Sequence, residues 1–179
     1  MNDLSLHILD ISENSIEAGA KNIEIIITED AKNDLLTLEI NDDGKGIKEE
    51  MIEQVSNPFT TSRKTRNIGL GIPLFKEAAE SSGGKFSIDS KEGTGTRVKA
   101  EFRYSHVDRK PLGNMPETLI AIILRAENTD IAYCHRKNGK DFEFRTKDLK
   151  DDLKIKSLNE PGLLKNLKEI LNHKISELQ

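Results

Sequence analysis

The sequence predicts an α+β fold: a two-layer α/β sandwich with helices on one face of a mixed sheet, followed by a small α/β C-terminal extension. Three observations lead there. Over the first hundred residues, helical and strand periodicities follow one another in the order α-β-β-α-loop-α-β-β, which sets helices against a sheet. The apolar fraction is 35% and the charged fraction 32%, enough for a core under a well-solvated surface. A chain of 179 residues has room for one domain with an appendage, and a change of character near Ser105 divides it into residues 1–104 and 105–179.

Residues 3–18 place Leu4, Ile8 and Ile11 on one side, broadened by Leu9 and Ile16, as an amphipathic helix does. His7, Asp10, Asn14 and Glu17 recur at spacings of three and four and share another face. Gly19 follows as a C-terminal cap. Ile23 to Thr28 and Leu35 to Ile40 read as strands, joined across the polar turn 29–34 in a hairpin. Lys48 to Val55 reads as a short helix, and residues 56–68 show no regular period. A further helix opens at Gly69-Leu70-Gly71-Ile72, tolerates Pro73 in its first turn and stops at Gly83-Gly84. Lys85 to Ser90 and Thr96 to Phe102 alternate as strands around the turn 91–95.

Pro111, Gly113 and Pro116 mark a linker into the extension. Glu117 to Ala126 reads as a helix, although Ile120, Ile122 and Ile123 would suit a buried strand. Ile131 to Arg136 and Phe142 to Thr146 form a hairpin around Asn138-Gly139. Residues 161–178 form an amphipathic helix with Leu164, Leu167, Leu171, Ile175 and Leu178 on one side. That stripe serves one of two ends: packing onto the first domain, or contact with a second copy or another protein.

Composition sets limits on partners and compartment. A net charge of −4 argues against nucleic acid as the partner. The single cysteine, Cys134, has no intrachain partner and suits a reducing compartment. The start lacks the basic region of a signal peptide, and no apolar run reaches the roughly 18 residues of a membrane span. A cytoplasmic protein without a membrane segment is expected.

The stretch Asn41-Asp42-Asp43-Gly44-Lys45-Gly46-Ile47 organises the rest. Read as D-x-G-x-G, it sets a carboxylate at a strand end, then two glycines where backbone can approach a flat ligand. Three other segments follow the pattern in order. Glu13-Asn14-Ser15-Ile16-Glu17-Ala18-Gly19-Ala20 resembles the N-box of the GHKL ATPases, the superfamily of gyrase, heat-shock chaperones, histidine kinases and mismatch-repair MutL proteins. Asp42 to Gly46 matches the first glycine box of that superfamily, Gly69 to Ile72 the second and Gly93-Thr94-Gly95-Thr96 the third. Asn57-Pro58-Phe59-Thr60-Thr61 resembles the F-box of histidine kinases. The resemblance covers residues 4 to about 103 and implies a GHKL (Bergerat) ATP-binding fold.

It implies ATP and Mg²⁺ as ligands, with roles for particular residues. Asp42 accepts a hydrogen bond from the exocyclic amine of adenine. Gly44, Gly46 and Ile47 pass against the base, and Thr96 sets a hydroxyl near it. Asn14 is the Mg²⁺ ligand. The backbone of Gly69, Leu70 and Gly71, where a loop becomes a helix, suits phosphate oxygens, and Arg63, Lys64 and Arg66 reach the terminal phosphate. Gyrase-like and MutL-like members carry a catalytic glutamate four residues before the asparagine, and Asp10 stands there, one methylene shorter. Asp10 is therefore a catalytic base, a second-sphere Mg²⁺ partner or only a helix residue.

The chain begins at the N-box, and none of its four histidines precedes an acidic residue. Self-phosphorylation in the usual histidine-kinase manner is not expected. Three functions remain: a kinase that phosphorylates a partner protein, resembling anti-sigma-type kinases; a slow ATPase acting as a conformational switch; or a nucleotide-sensing module without catalysis. The first is the leading expectation.

Overall fold

The structure, a computed structural model, describes residues 2–56 and 71–178. The elements are α1 (Leu4–Glu17), β1 (Asn22–Asp30), β2 (Leu35–Asp42), α2 (Glu49–Ser56), α3 (Gly71–Ser81), β3 (Lys85–Lys91) and β4 (Gly95–Arg103), then α4 (Met115–Arg125), β5 (Asp130–Lys137), β6 (Lys140–Arg145), α5 (Thr146–Leu153) and α6 (Pro161–Ser176). Arg63, Lys64, Arg66, Gly69, Leu70 and the F-box-like stretch lie outside the described residues.

A six-stranded mixed sheet runs in the order β3-β4-β2-β1-β5-β6. All neighbours are antiparallel except β1 and β5. Alternation decides which side chains face the helices. Ile25 lies opposite Ile40 and Tyr133, Ile40 opposite Val98, and Val98 opposite Ile88. Most of these side chains are almost fully buried under α1, α3 and α4, in a core with Phe75, Phe102 and Leu119 at its centre. Phe75 is in ring contact with Phe86 and Phe102, so Phe75→Ala should cost about 3–5 kcal/mol.

The helix α1 starts at Asp3, whose carboxylate accepts from the Leu6 amide, and it ends before Gly19, which takes φ +77°. Two of its first amides find carbonyls in the linker to the extension: Leu4 N–H donates to Pro111 (2.9 Å) and Ser5 N–H to Leu112 (2.8 Å). This matters for function because α1 carries Asp10, Asn14 and Ser15.

Residues 105–179 continue the same sheet. β5 lies along β1 in parallel register from Asn22–Asp130 to Glu29–Lys137. The segment that could have been strand is the helix α4, capped by Asn114, with Leu119, Ile122 and Ile123 buried. The hairpin turn is Asn138-Gly139, with φ of 51° and 87° as a two-residue turn requires. The apolar stripe of α6 is used internally: Leu164, Leu167 and Leu171 are buried and the helix packs on α4. Among the described residues, no helix is long and apolar enough to cross a membrane.

Candidate functional site

β2 delivers Asp42 at its last position, where the strand gives way to Asp43-Gly44. The Asp42 carboxylate is held on both oxygens. Ser15 Oγ donates to Oδ2 at 2.6 Å, and the Gly44 amide donates to Oδ1 at 2.9 Å. Asp43 turns the other way. Its Oδ1 accepts from the Lys21 and Asn22 amides (2.7 and 2.9 Å) and its Oδ2 from the Asn22 side chain at 2.7 Å. Desolvation pulls the Asp43 carboxyl up, but the bonds from Asn22 and Lys21 outweigh it and hold it below the ordinary range. Asp43 ties the α1–β1 connection to the end of β2, while Asp42 faces a cavity.

That cavity, about 880 Å³, lies between α1, the 45–48 loop, α2 and the turn joining β3 to β4. Its size is in the range of small-molecule sites. Asn14, Asp42, Gly46, Ile47 and Thr96 all line it, so five residues from three sequence motifs meet in one place. Ile11, Val55, Ile72 and Val98 supply apolar wall, and Lys45, Lys48 and Glu92 stand at its edge, the last two 4.0 Å apart.

The glycines are needed first by the protein itself. A Cβ on Gly46, at φ +67°, would collide with the Lys91 carbonyl, and one on Gly44 would press on Ala18 and the Asp42 carboxylate. The 44–48 loop is thus laid directly against the β3–β4 turn, and the Gly93 amide donates to the Lys45 carbonyl at 2.7 Å.

Ser90 joins these parts, and the motifs did not single it out. Its hydroxyl accepts from the Ile47 amide at 2.8 Å and lies 2.9 Å from both the Gly95 carbonyl and Thr96 Oγ1. Ser15 was likewise hidden, as a plain member of the N-box. Both are hydroxyls whose partners sit on other segments, so only the register of β2, β3 and β4 exposes their roles.

Asp10 lies one turn before Asn14 on α1, against the first residue of α3. A Cβ on Gly71 would occupy the place of Asp10 Oδ2, so a side chain there would have to displace the carboxylate. Asp10 Oδ2 and Asn14 Nδ2 are buried and have no hydrogen-bond partner among the described residues. Burial holds the Asp10 carboxyl above its ordinary value, with the Glu17 carboxylate adding to the effect. His7, grouped with these residues on a polar face by its spacing, is instead fully buried.

No group of three or more His, Cys, Asp or Glu among the described residues could hold a metal by itself. A site of one amide oxygen with a carboxylate nearby still fits Mg²⁺, which keeps several waters and takes its other oxygens from phosphate. The unpartnered Oδ2 of Asp10 accords with that fit.

Comparison with known proteins agrees with this arrangement. The family described as histidine kinase-, DNA gyrase B-, and HSP90-like ATPase matches residues 2–106. Sporulation kinase D of Bacillus subtilis is 31% identical over 91 residues, covering 51% of this chain and 18% of its own length. An NtrY-like sensor histidine kinase of Rickettsia conorii is 27% identical over 110 residues, covering 62% of this chain and 18% of its own. The chain thus spans about a fifth of the length of these curated relatives. Among solved structures, the Aquifex aeolicus MutL ATPase domain complexed with ADP superposes with a TM-score of 0.51 at 13% identity, over 87% of this chain and 70% of that one. That likeness shows the fold. The family match spans more than half of the chain, and the chain belongs to the histidine kinase-, DNA gyrase B- and HSP90-like (GHKL) ATPase family.

Proposed function

We propose that residues 1–104 bind Mg-ATP in the cavity beside Asp42 and transfer its terminal phosphate to a partner protein, with residues 105–179 as a buttress of the same sheet. The observation that carries the reading is the Asp42 carboxylate, fixed by Ser15 and Gly44 at the wall of a nucleotide-sized cavity. A carboxylate so held is an acceptor for the exocyclic amine of adenine, a charge-assisted bond worth about 1.5–3 kcal/mol. Gly46 and Ile47 form the wall on one side of the base and Thr96 presents a hydroxyl on another.

Asn14 would hold Mg²⁺ through its side-chain oxygen. The ion's contribution there is neutralisation of phosphate charge. Phosphoryl transfer needs mostly positioning and charge neutralisation, and this chain's own part is to fix the ligand between β2 and α1. Gly71 carries its amide at the start of α3 toward the phosphates, and Arg63, Lys64, Arg66, Gly69 and Leu70 keep the phosphate roles that the motifs imply. Asp10, its carboxyl raised by burial, accepts a hydrogen bond or a proton from the attacking hydroxyl.

The same Asp10 supports a second reading, a slow ATPase in which the hydroxyl belongs to water. Following γ-labelled phosphate from Mg-ATP separates the two. Release as free phosphate by the protein alone supports the ATPase, and retention on an added acceptor protein supports the kinase. Binding of ATP with neither outcome would leave a sensing module, and no binding at all would sink every version.

A further inference from the structure

Three successive turns of α1 present polar side chains toward α3 and the pocket in one file. Asn14 opens into the pocket, Asp10 lies against Gly71, and His7 stacks on Phe75 one turn further along α3, with ring centroids 5.4 Å apart and planes inclined by 27°. Six buried side-chain nitrogen and oxygen atoms lack a partner among the described residues, and four of them belong to this file: Asn14 Nδ2, Asp10 Oδ2 and both ring nitrogens of His7. His7 is 0% exposed.

Buried polar groups are nearly always hydrogen-bonded, directly or through ordered water. A seam that only packed two helices would be served by leucine or alanine. Burial lowers the pKa of His7 to about 4, with Lys110 and the chain N-terminus adding and Asp3 opposing, so the ring is neutral near pH 7. A neutral imidazole offers one N–H donor and one acceptor. Its neighbour in the file, one helical turn away, is a carboxylate that only accepts.

We propose that ordered water continues from the pocket along this file and that His7, at its blind end, is a positioning residue for Asp10. The inference rests on the reading of Asp10 as the group that meets the attacking hydroxyl. The His7 N–H donates to a water that in turn donates to Asp10 Oδ2. That leaves the other Asp10 oxygen to accept from the hydroxyl, and Asn14 closes the file at the pocket. His7 keeps its proton throughout, so its role is orientation.

The test uses the full chain with His7→Leu and His7→Gln. His7→Leu should lower kcat for Mg-ATP turnover about tenfold or more while KM stays within about twofold, because a slightly misplaced base is costly. His7→Gln, which can still donate an N–H, should recover most of the loss. A purely structural histidine gives the opposite pattern: kcat unchanged in both variants, and His7→Leu raising Tm by about 2–4 °C as partnerless polar atoms are removed. That result overturns the proposal. A crystal structure of the wild-type chain is the second measurement, with ordered water between His7 and Asp10 as the expected result. A dry seam overturns the proposal whatever the kinetics. Absence of turnover in the wild type would count against the role of Asp10 alone, and the crystal water and the Tm of His7→Leu would still decide whether the seam is hydrated.

Discussion

Two histidines are buried in this molecule, in opposite kinds of surroundings. His135, on β5, has both ring nitrogens engaged: Nε2 lies 2.8 Å from Glu29 Oε1 and Nδ1 lies 3.0 Å from the Tyr133 hydroxyl. Glu29 also accepts from Tyr104 at 3.2 Å and pairs with Lys137 at 3.4 Å. Desolvation pushes the Glu29 carboxyl up, but His135, Lys137 and Tyr104 outweigh it and hold it below the ordinary range. His7, on α1, has neither nitrogen engaged and stands beside a carboxylate with an idle oxygen. The first cluster has its hydrogen bonds made and belongs to the join between β1 and the extension. The second has its polar atoms unpartnered, and of its file only Asn14 lines the pocket. The same residue type holds the fold together in one place and faces unfinished chemistry in the other.

Several substitutions would break or sharpen this contrast. Asp10→Asn should act most strongly, reducing ATP turnover by roughly 10²–10⁴-fold with binding spared, as loss of a general base does. The same change should stabilise the protein near pH 7. Asp10 is raised in the folded state, so above its unfolded pKa its ionisation weighs on folding, and the neutral amide removes that burden. Comparing urea unfolding of the two proteins with their phosphate release checks both halves.

His135→Ala should cost about 1–3 kcal/mol of stability, because it takes one partner each from Glu29 Oε1 and the buried Tyr133 hydroxyl. ATP affinity of the folded fraction should not change. A parallel fall in affinity, seen by nucleotide titration, would erase the distinction between the clusters.

Acid separates them again. His7 titrates at about 4 folded and 6.5 unfolded, so the unfolded state takes up its proton first as pH falls. The His7 contribution to stability should be full above pH 6.5 and decline down to pH 4 by roughly 3 kcal/mol. His7→Leu should remove that component from the stability-versus-pH curve.

Asp42→Ala should weaken ATP binding by about 1.5–3 kcal/mol, measured by calorimetry, and cost about 1–2 kcal/mol of stability as Ser15 and Gly44 lose their acceptor. Ser90→Ala should be mildest, about 1 kcal/mol of stability and a small loss of affinity, since it frees the Ile47 amide and the Thr96 hydroxyl.

Much of this arrangement is legible in the chain because it rests on local signals. The bounds of α1 follow from its apolar spacing and Gly19, and the 138–139 turn from Asn-Gly. The D-x-G-x-G stretch marks the carboxylate that faces the cavity. What stays hidden depends on distant pairing. Nothing local announces that β5 lies parallel to β1, or that Ser15 reaches Asp42 and Ser90 reaches Ile47. The helix α5 escapes notice because Thr-Lys-Asp-Leu-Lys-Asp-Asp-Leu carries only two apolar residues, and only Thr146 in it is buried. Periodicity groups His7 with Asp10 and Asn14 on one face, but only the packing of α3 shows that His7 on that face is buried.

The parallel join of β1 and β5 has a consequence during synthesis. Family similarity ends at residue 106, beyond all four motifs. Yet β1 would still be an edge strand, with the length later matched by eight residues of β5 lying bare. Exposed strand edges recruit other strands. A nascent or truncated chain that stops near residue 106 should therefore tend to self-associate, and the segment that prevents this lies outside the part that recognises nucleotide.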